Sequence, residues 1–291
     1  MTASASSTRE RQPIITAVWQ EKYRWSRTDG GSDEHGPEDT HRRVCAGIYA
    51  LDPGRERHEA AALAAMRRWE WCPGGRIHAG AGTGKAVTLL NCFVNGAIDD
   101  SMPGIMEANM RAALTMQQGG GIGTDFSPIR PRGAVVRGIG SVASGPLSFM
   151  EIWQATCGTI MSGGSRRGAM MATLADDHPD LPEFIAAKRQ PGRLTNFNLS
   201  ILVSEALLSA VEHDRMWELG FPVPPADPAA ILAVQERGGQ PWYVYHRLPA
   251  RALWDSITRN TYDHAEPGVI FIDRVNAWNP LAYVETIRST N

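Results

Sequence analysis

The chain has 291 residues, of which 43% are hydrophobic, and its formal net charge is −2. This size and apolar content suffice for a buried core, in one large domain or two smaller ones. The near-neutral charge argues against binding to nucleic acid or to an anionic membrane surface, and no apolar run is long enough to cross a bilayer. The opening residues MTASASSTRERQP lack the apolar stretch of a secretory signal, so we expect a cytoplasmic protein in which residues 1–13 form a disordered tail.

Residues 14–80 are predicted to form a helical domain. THRRVCAGIYAL and HEAAALAAMRRWEW place apolar side chains at intervals of three and four residues, with arginines on the opposite face. Asp52-Pro53-Gly54 separates these two segments. We expect Trp69 and Trp71 to anchor the core of this domain, as large aromatic side chains usually do.

From residue 81 onwards the pattern changes to short apolar strands that alternate with helices, which is typical of βα units and a parallel sheet. Between the last two predicted helices, the proline-rich run FPVPPADPAA predicts a surface excursion. The predicted strands lie near Val87–Val94, Gly121–Phe126, Ala169–Leu174, Phe197–Val203 and Val269–Asp273, and the predicted helices near Met106–Met116, Ser148–Met161, Leu181–Lys188, Glu205–His213 and Ala250–His264.

The four cysteines are Cys45, Cys72, Cys92 and Cys157, without a CxxC pair or a partner histidine at zinc-ligand spacing. No metal site is therefore predicted, and in a reducing cytosol three of the four are expected to be small buried apolar side chains. Cys92 differs because it lies in an apolar, strand-like run and precedes a glycine-rich segment, Gly119–Gly123. A thiol beside glycines that admit a ligand to the backbone indicates redox chemistry on a bound small molecule.

Seven segments occur together in an order and at a spacing that resemble those of ribonucleotide reductases, most closely the adenosylcobalamin-dependent (class II) branch. One is the cysteine run, VTLLNCFVNGAIDDSM followed by MQQGGGIGTDFS, and the likeness extends from Trp19 to the end of the chain. The other segments are PGGRIHAGAGT, ASGPLSFMEIW, MSGGSRRGAMMATL, DHPDLPEFIAAK, LTNFNLSILV and EPGVIFIDRVNAWNP.

The resemblance implies an α/β fold in which the helical domain is followed by the first half of a ten-stranded α/β barrel, here residues 81–291. In the family, two five-stranded parallel halves surround a finger loop. Asn291 would open an Asn-x-Cys-x-Glu signature whose cysteine carries the thiyl radical and whose glutamate is the base. We therefore expect the front portion of an enzyme, inactive alone, whose C-terminal half comes from the same gene or from a separate chain. Unpaired strand edges would make the isolated chain poorly soluble.

The resemblance also implies the catalytic residues. Cys92 would be one of two thiols that reduce the substrate, and Asn291 would hydrogen-bond its ribose. A glycine string that lets a nucleotide approach the backbone is compatible with this role, although a tight turn is the alternative. Arg76 departs from relatives that carry a small hydroxyl residue there. The predicted substrate-binding residues are Arg76, Thr88, Asn91, Gly120 and Gly121.

A regulatory nucleotide site is the second implication. Asp100 and Ser101 match a turn that holds the ribose of a specificity effector, and two downstream loops match those that carry its signal to the active site. Arginine and lysine suit triphosphate oxygens, whereas ordinary solvated charges are the alternative. The predicted effector-binding residues are Asp100, Ser101, Arg137, Lys188, Arg189 and Arg193.

The resemblance thus predicts a ribonucleoside-diphosphate reductase that uses thiyl-radical chemistry and adenosylcobalamin. Its expected partners are a ribonucleoside diphosphate substrate, deoxynucleoside triphosphate effectors, thioredoxin or a similar dithiol, and a second copy of itself that packs on the helix near Met106–Met116. Two alternatives remain open. One is the large subunit of a class I reductase, whose radical comes from a separate subunit, and the other is a noncatalytic nucleotide-binding fragment.

Overall fold

The computed structural model describes residues 13–27, 29–136, 138, 140–160 and 168–291. They form two compact units whose main division lies at 91/92, and the domain boundary expected at 80/81 stays a prediction. The first unit comprises residues 13–91 and 117–120, and the second comprises most of the remainder. The expected disordered tail lies outside the described residues, except for Pro13, which begins a helix.

The first unit is helical, as its apolar periodicity predicts. Trp19 of the first helix donates its indole N–H to Thr40 of the second at 2.8 Å. The second and third helices pack through the buried side chains of Cys45 and Met66. The helices are α1 (Pro13–Lys22), α2 (Pro37–Ile48), α3 (Arg55–Arg67) and α4 (Gly75–Gly80).

Three side chains of this unit lie outside the core, contrary to expectation. Trp69 and Trp71 are 45% and 36% exposed, and Cys72 is also exposed. All three follow the end of α3 at Arg67, so they occupy a connecting segment rather than the apolar face of the helix. The helical periodicity continued in the sequence beyond the point at which the helix itself ends.

The second unit contains a parallel five-stranded sheet, in which the spatial order of the strands is their order in the chain. All five strands lie where the sequence predicts them, although the first is shorter and starts at Cys92 rather than Val87. The fold class, an α/β half-barrel with a preceding helical part, is confirmed. The strands are β1 (Cys92–Val94), β2 (Gly121–Asp125), β5 (Met170–Ala175), β6 (Phe197–Val203) and β10 (Gly268–Phe271).

The helices between these strands bury one continuous apolar core against the sheet. At its centre, the Phe126 ring packs edge-on against Trp153 and Phe197, with ring centroids 5.4 and 6.0 Å apart. Aromatic pairs of this geometry add to the stabilisation from buried area. These helices are α5 (Met102–Gln117), α6 (Pro146–Thr159), α7 (Leu181–Ala186), α8 (Glu205–Glu212) and α9 (Ala250–His264). A further helix, α10 (Ile272–Ala277), follows the last strand and buries none of its residues.

Two smaller β structures were not predicted. A hairpin joins β3 (Val135–Val136) to β4 (Ser141–Val142), and an antiparallel sheet pairs β9 (Gln240–Pro249) with β7 (Met216–Phe221) and β8 (Ala233–Arg237). The proline-rich excursion connects β7 to β8 and, as predicted, contains no α-helix. Its backbone pairs with the hairpin, since Val135 N donates to Pro224 O at 3.0 Å.

Among the described residues, no helix combines the length and the apolar character needed to cross a membrane.

Candidate functional site

Cys92 is the first residue of β1, and its Cα pairs in register with Gly121 of β2. Its thiol is exposed and forms no disulfide. The neighbouring Phe93 packs against the core, which fixes the strand and leaves Cys92 on the accessible side. Cys92 therefore combines a rigid position with access to solvent, which is what a redox thiol requires.

The last residues of the chain cross this sheet. Thr173 of β5 donates its hydroxyl to Arg288 O at 3.0 Å, and the side-chain amide of Asn291 donates to Phe93 O at 3.2 Å. Ser289, between these two anchors, is buried. The crossing brings Asn291 to the strand that carries Cys92.

Gly121 borders the Asn291 side chain. A Cβ on Gly121 would lie 3.1 Å from both the Nδ2 and the Oδ1 atoms of Asn291, closer than a Cβ normally approaches. The glycine therefore makes room for the amide. The structure thus brings together three sequence-predicted residues, Cys92, Gly121 and Asn291, at one edge of the sheet.

The other predicted substrate-binding residues belong to the first unit. The Thr88 hydroxyl accepts from Leu90 N at 3.0 Å, so it stabilises a local turn. Arg76 lies beside Gly119, where a Cβ would come within 2.6 Å of its Nη1 atom. Gly119 has φ +89°, which favours glycine. Asn91 is exposed and Gly120 is buried. Their substrate roles stay predictions.

Near the crossing segment the sequence reasoning missed a buried acid, Asp125, at the end of β2. Its carboxylate accepts from the Ser127 backbone N at 3.0 Å and from the Ser127 hydroxyl at 2.5 Å. Burial raises the pKa of Asp125, and Ser127 opposes that shift. A cavity of about 380 Å³ next to it is also lined by Arg288 and Ser289. A carboxylate at the carboxyl end of a parallel strand was a signal available in the sequence.

A larger cavity, of about 670 Å³, surrounds the predicted effector turn. Asp100 and Ser101 line it, and their effector roles stay predictions. The hairpin and the proline-rich excursion supply further walls. The lining residues are Asp100, Ser101, Met102, Ile105, Ile129, Arg130, Val135, Val136, Ser141, Val142, Ala143, Ser144, Phe149, Pro222, Val223 and Gln240.

Arg130 organises the polar end of this cavity. Its Nε atom lies 2.9 Å from Asp100 Oδ2, and its Nη1 atom donates to Val135 O at 2.8 Å. The guanidinium thus connects the turn before α5 to the start of the β3–β4 hairpin. Ser101 accepts from Gly104 N at 3.1 Å and so caps the first turn of α5. Among the described lining residues, Arg130 is the one that carries a positive charge.

Three of the predicted effector-binding cations, which lie between residues 188 and 193, contact other groups of the chain. Lys188 donates to the carbonyl oxygens of Leu194 and Phe197, each at 2.7 Å. Arg189 donates to Asn260 at 2.7 Å, and Arg193 pairs with acidic side chains. None of the three lines the described cavity. Arg137 lies outside the described residues. The effector roles of these four residues stay predictions.

The cavity residues that sequence reasoning missed include Arg130, Pro222, Val223 and Gln240. For Arg130 a signal existed, because an arginine that directly precedes a proline cannot easily continue a helix and marks a loop. Gln240 and the two excursion residues gave no signal, since the antiparallel sheet that places them was itself not predicted. The described residues contain no group of three or more His, Cys, Asp or Glu side chains arranged for a metal ion.

Comparison with known proteins gives a consistent result. Residues 90–291 match the family model for the ribonucleotide reductase barrel domain. A vitamin B12-dependent ribonucleoside-diphosphate reductase of Mycobacterium tuberculosis is 35% identical over 252 residues, which cover 86% of this chain. The enzyme of that name from Thermoplasma acidophilum is 35% identical over 227 residues, or 78% of the chain.

A more distant relative is the ribonucleoside-diphosphate reductase subunit alpha of Helicobacter pylori, which is 29% identical over 213 residues, or 70% of the chain. The matched regions cover 34%, 27% and 27% of the lengths of these three relatives. The chain thus spans between about a quarter and a third of the length of the proteins it matches.

Proposed function

Because the chain belongs to the ribonucleotide reductase barrel-domain family, we propose that it is the front part of a ribonucleoside-diphosphate reductase, which makes 2′-deoxyribonucleotides. The family assignment and the α/β half-barrel confirm the expectations drawn from sequence. The main structural support for this proposed activity is the cluster of Cys92, Gly121 and Asn291 at one edge of the parallel sheet.

The chemistry assigned to Cys92 is that of a reductant. Replacing a 2′-hydroxyl by hydrogen releases water and consumes two electrons, which two thiols supply when they close to a disulfide. Cys92 provides one exposed thiol on a fixed strand. The second thiol and the thiyl-radical cysteine are proposed to come from the polypeptide that follows Asn291 in the family pattern. Thioredoxin or a similar dithiol then reduces the disulfide.

Asn291 has the geometry of a positioning group. Its amide nitrogen is held by Phe93 O, which leaves its oxygen as an acceptor next to Gly121. An acceptor at this place would receive a hydrogen bond from a ribose hydroxyl. The absent side chain of Gly121 leaves room for this amide, and the edge of the sheet that carries it is where we place the substrate ribose.

The proposed cofactor is adenosylcobalamin, because two relatives are named vitamin B12-dependent. The residues described here do not fit that group. The cavities of the second unit, about 670 and 380 Å³, have the volume of sites for drug-sized ligands, which are much smaller than a corrinoid.

The cavity around Asp100 and Ser101 is proposed as the site for a deoxynucleoside triphosphate effector. It is mostly apolar, with a polar end at Asp100 and Arg130, which suits a nucleoside whose base and hydroxyls differ in polarity. We propose that Arg137, whose position in the loop follows Val136, helps to bind the phosphates.

A homodimer is proposed from the surface of α5. Met102, Met106, Met110 and Leu114 recur every four residues on one face, and they are 57%, 41%, 55% and 53% exposed. Such a stripe on a surface helix indicates a packing partner. Because this helix starts at the effector turn, a second copy that packs on it would lie next to the nucleotide. A cytoplasmic location remains part of the proposal.

The test uses the complete protein, including the sequence beyond Asn291. Reduction of a ribonucleoside diphosphate is measured with a thioredoxin system, with and without adenosylcobalamin. Turnover that requires the cofactor and no second subunit supports the proposal. Turnover that requires a metal-containing radical subunit instead identifies a class I large subunit, and no turnover under either condition contradicts reductase activity.

A nucleotide-binding fragment is the second candidate, because the described cavity is formed by this chain while the cysteine cluster has a single thiol. It predicts that the chain binds a deoxynucleoside triphosphate and that adding the remaining sequence, in cis or in trans, restores no turnover. Equilibrium dialysis together with the activity assay separates the two candidates.

A further inference from the structure

Residues 288–291 lie across three strands of the sheet, and two contacts fix the ends of this crossing. Arg288 O accepts from Thr173 of β5, and Asn291 donates to Phe93 O of β1. Between them, the backbone of Thr290 passes over β2. The position of Asn291 beside Cys92 therefore depends on how closely this segment approaches the middle strand.

Gly123 is the residue of β2 over which Thr290 passes. A Cβ on Gly123 would overlap the carbonyl oxygen of Thr290 and would lie 2.6 Å from its carbonyl carbon. Both atoms belong to the backbone, so no rotation of a side chain could relieve the overlap. Gly123 is also held in place from both sides, because it pairs in register with Val94 and Met171.

Thr173 fixes the other end of the crossing. Its side chain is fully buried, and its hydroxyl donates to Arg288 O at 3.0 Å. Thr173 pairs with Asp125 of β2 and with Ser200 of β6, so it lies inside the sheet rather than at an edge. Its hydroxyl is thus a fixed point for the crossing segment.

We propose that Gly123 and Thr173 are positioning residues for the active site. The missing side chain of Gly123 sets how close residues 288–291 lie to the sheet, and the hydroxyl of Thr173 sets the register at which they cross it. Together they place Asn291 beside Cys92. The inference rests on the proposed reductase function. It assigns no chemical step to either residue.

The consequence is a catalytic effect without direct contact with substrate. A methyl group on Gly123 forces Thr290 away from the sheet, and Asn291 then leaves Phe93 O and Gly121. Displacements of about 1 Å in a reacting group can lower the rate by about 100-fold. We therefore expect Gly123→Ala to lower kcat by about 100-fold in the complete enzyme. Nucleotide binding at the cavity around Asp100 should be unchanged, because that cavity does not include the crossing segment.

Gly158→Ala is the matched control. It makes the same chemical change in the same unit, but its Cβ would meet only Asn196 Nδ2, at an ordinary 3.8 Å. Gly158 lies within α6, where alanine is favoured over glycine. We expect this variant to retain wild-type kcat and effector affinity.

A second pair of variants remains informative if Gly123→Ala does not fold. Thr173→Val removes the hydroxyl and should lower kcat about 10-fold, the effect of one lost hydrogen bond. Thr173→Ser keeps the donor and should restore most of the rate. A role limited to packing would predict the reverse order, because valine preserves the buried volume better than serine.

Three measurements on each variant distinguish the outcomes: kcat and KM, the dissociation constant of a deoxynucleoside triphosphate, and the melting temperature. A fall in kcat in Gly123→Ala and Thr173→Val, with unchanged effector binding, supports the inference. Wild-type kcat in a folded Gly123→Ala variant overturns it, as does a Thr173→Val variant that is faster than Thr173→Ser. If the wild-type protein itself shows no turnover, the proposed function fails.

Discussion

The carboxylate of Asp100 is held by Arg130 through two hydrogen bonds, from the backbone N at 3.1 Å and from Nε at 2.9 Å. Arg130 also donates to Val135 O, so one guanidinium spans the effector turn and the hairpin. A ligand that binds at Asp100 is thereby linked to the position of the hairpin. Lysine cannot reproduce this fork, because it lacks the planar set of donors.

We predict that Arg130→Lys weakens binding of a deoxynucleoside triphosphate by at least about 10-fold, since a charge-assisted hydrogen bond contributes roughly 1.5–3 kcal/mol. Isothermal titration calorimetry of the complete protein measures the affinity. Arg259→Lys, at an exposed arginine on α9, is the control. Equal affinities in the two variants would argue against Arg130 as an organiser of the cavity.

The role of Cys92 is tested against that of Cys72, because both thiols are exposed and they lie in different units. Cys92→Ser should abolish turnover with thioredoxin, since serine cannot be oxidised to the disulfide whose formation supplies the two electrons. Cys72→Ser should turn over at the wild-type rate. Steady-state assays of the two variants decide the point, and a Cys92→Ser enzyme with thioredoxin-dependent turnover would exclude the proposed reductant.

The dimer proposal predicts that a charge in the α5 stripe separates the subunits. Met110→Glu places a carboxylate in the middle of the apolar row, and a buried unpaired charge there is strongly unfavourable. Light scattering of the complete protein should then report a monomer. Met216→Glu, at another exposed methionine, should leave the dimer intact. A Met110→Glu protein that stays dimeric would show that the interface lies elsewhere.

Asp176 should make stability depend on pH. Burial raises its pKa from 3.8 to about 7, and Asp177 and Asp273 add to the shift, which Ser204 opposes. The folded state thus binds more protons than the unfolded state between about pH 4 and pH 7. The contribution of Asp176 is therefore fully present below pH 4 and is lost as the pH rises through 7.

His178 has the opposite effect, because burial lowers its pKa to about 4 and the unfolded chain takes up its proton first. The pH dependence of wild-type stability combines the effects of Asp176, His178 and other titratable groups. A variant is needed to separate the effect of Asp176 from the rest. In Asp176→Asn we expect the melting temperature relative to wild type to increase from pH 5 to pH 8. Calorimetry of the complete protein measures the difference, and a difference that does not change with pH would contradict the raised pKa.

The edges of the parallel sheet predict how the chain behaves on its own. β10 is an edge strand, and Val269 and Phe271 are exposed on it. Such an edge pairs with other chains. We expect the isolated chain to self-associate and to bind an apolar dye, and Phe271→Lys to reduce both effects. Tyr262→Lys, at an exposed tyrosine on α9, should not. A monodisperse chain that melts cooperatively would refute this expectation.

The parallel sheet could be predicted because each strand is a short, nearly continuous apolar run between helical segments. β6, FNLSILV, is an example. A strand that is buried on both faces appears in the sequence as a short apolar run without alternating polar residues. The cysteine strand was predicted too long at its start. Val87 to Asn91 are apolar enough for a strand, but Thr88 forms a local turn with Leu90 instead.

The antiparallel sheet was missed for a different reason. Gly238-Gly239 joins β8 to β9 with φ of +59° and +77°, which is a two-residue hairpin signal visible in the sequence. The preceding prolines indicate an irregular excursion, and the flanking strands carry charged side chains such as Glu236 and Arg237. Half-exposed strands of this kind lack a strong apolar pattern, so the turn was the only clear indication.

At the candidate site, motif resemblance predicted Cys92, Asp100, Ser101, Gly121 and Asn291, but it could not identify the residues that contact them. Arg130 pairs with Asp100 across 30 residues of sequence, and Gly123 meets Thr290 across 167. Such pairs depend on how distant segments cross, which residue type and spacing along one chain do not reveal. The close approach at Gly123 in particular cannot be inferred from the residue type, because glycine also serves turns and bulges.

The order of the sheet has a consequence for the way the protein is made. The strands of the parallel sheet lie side by side in the order in which they are synthesised, β1, β2, β5, β6 and β10. Each new strand of this sheet can therefore dock on the sheet strand that was synthesised before it. No strand has to be inserted later between two others, so most contacts form between neighbouring βα segments and loop closure stays short. We expect the half-barrel to assemble progressively during translation, with the newest strand always forming the open edge.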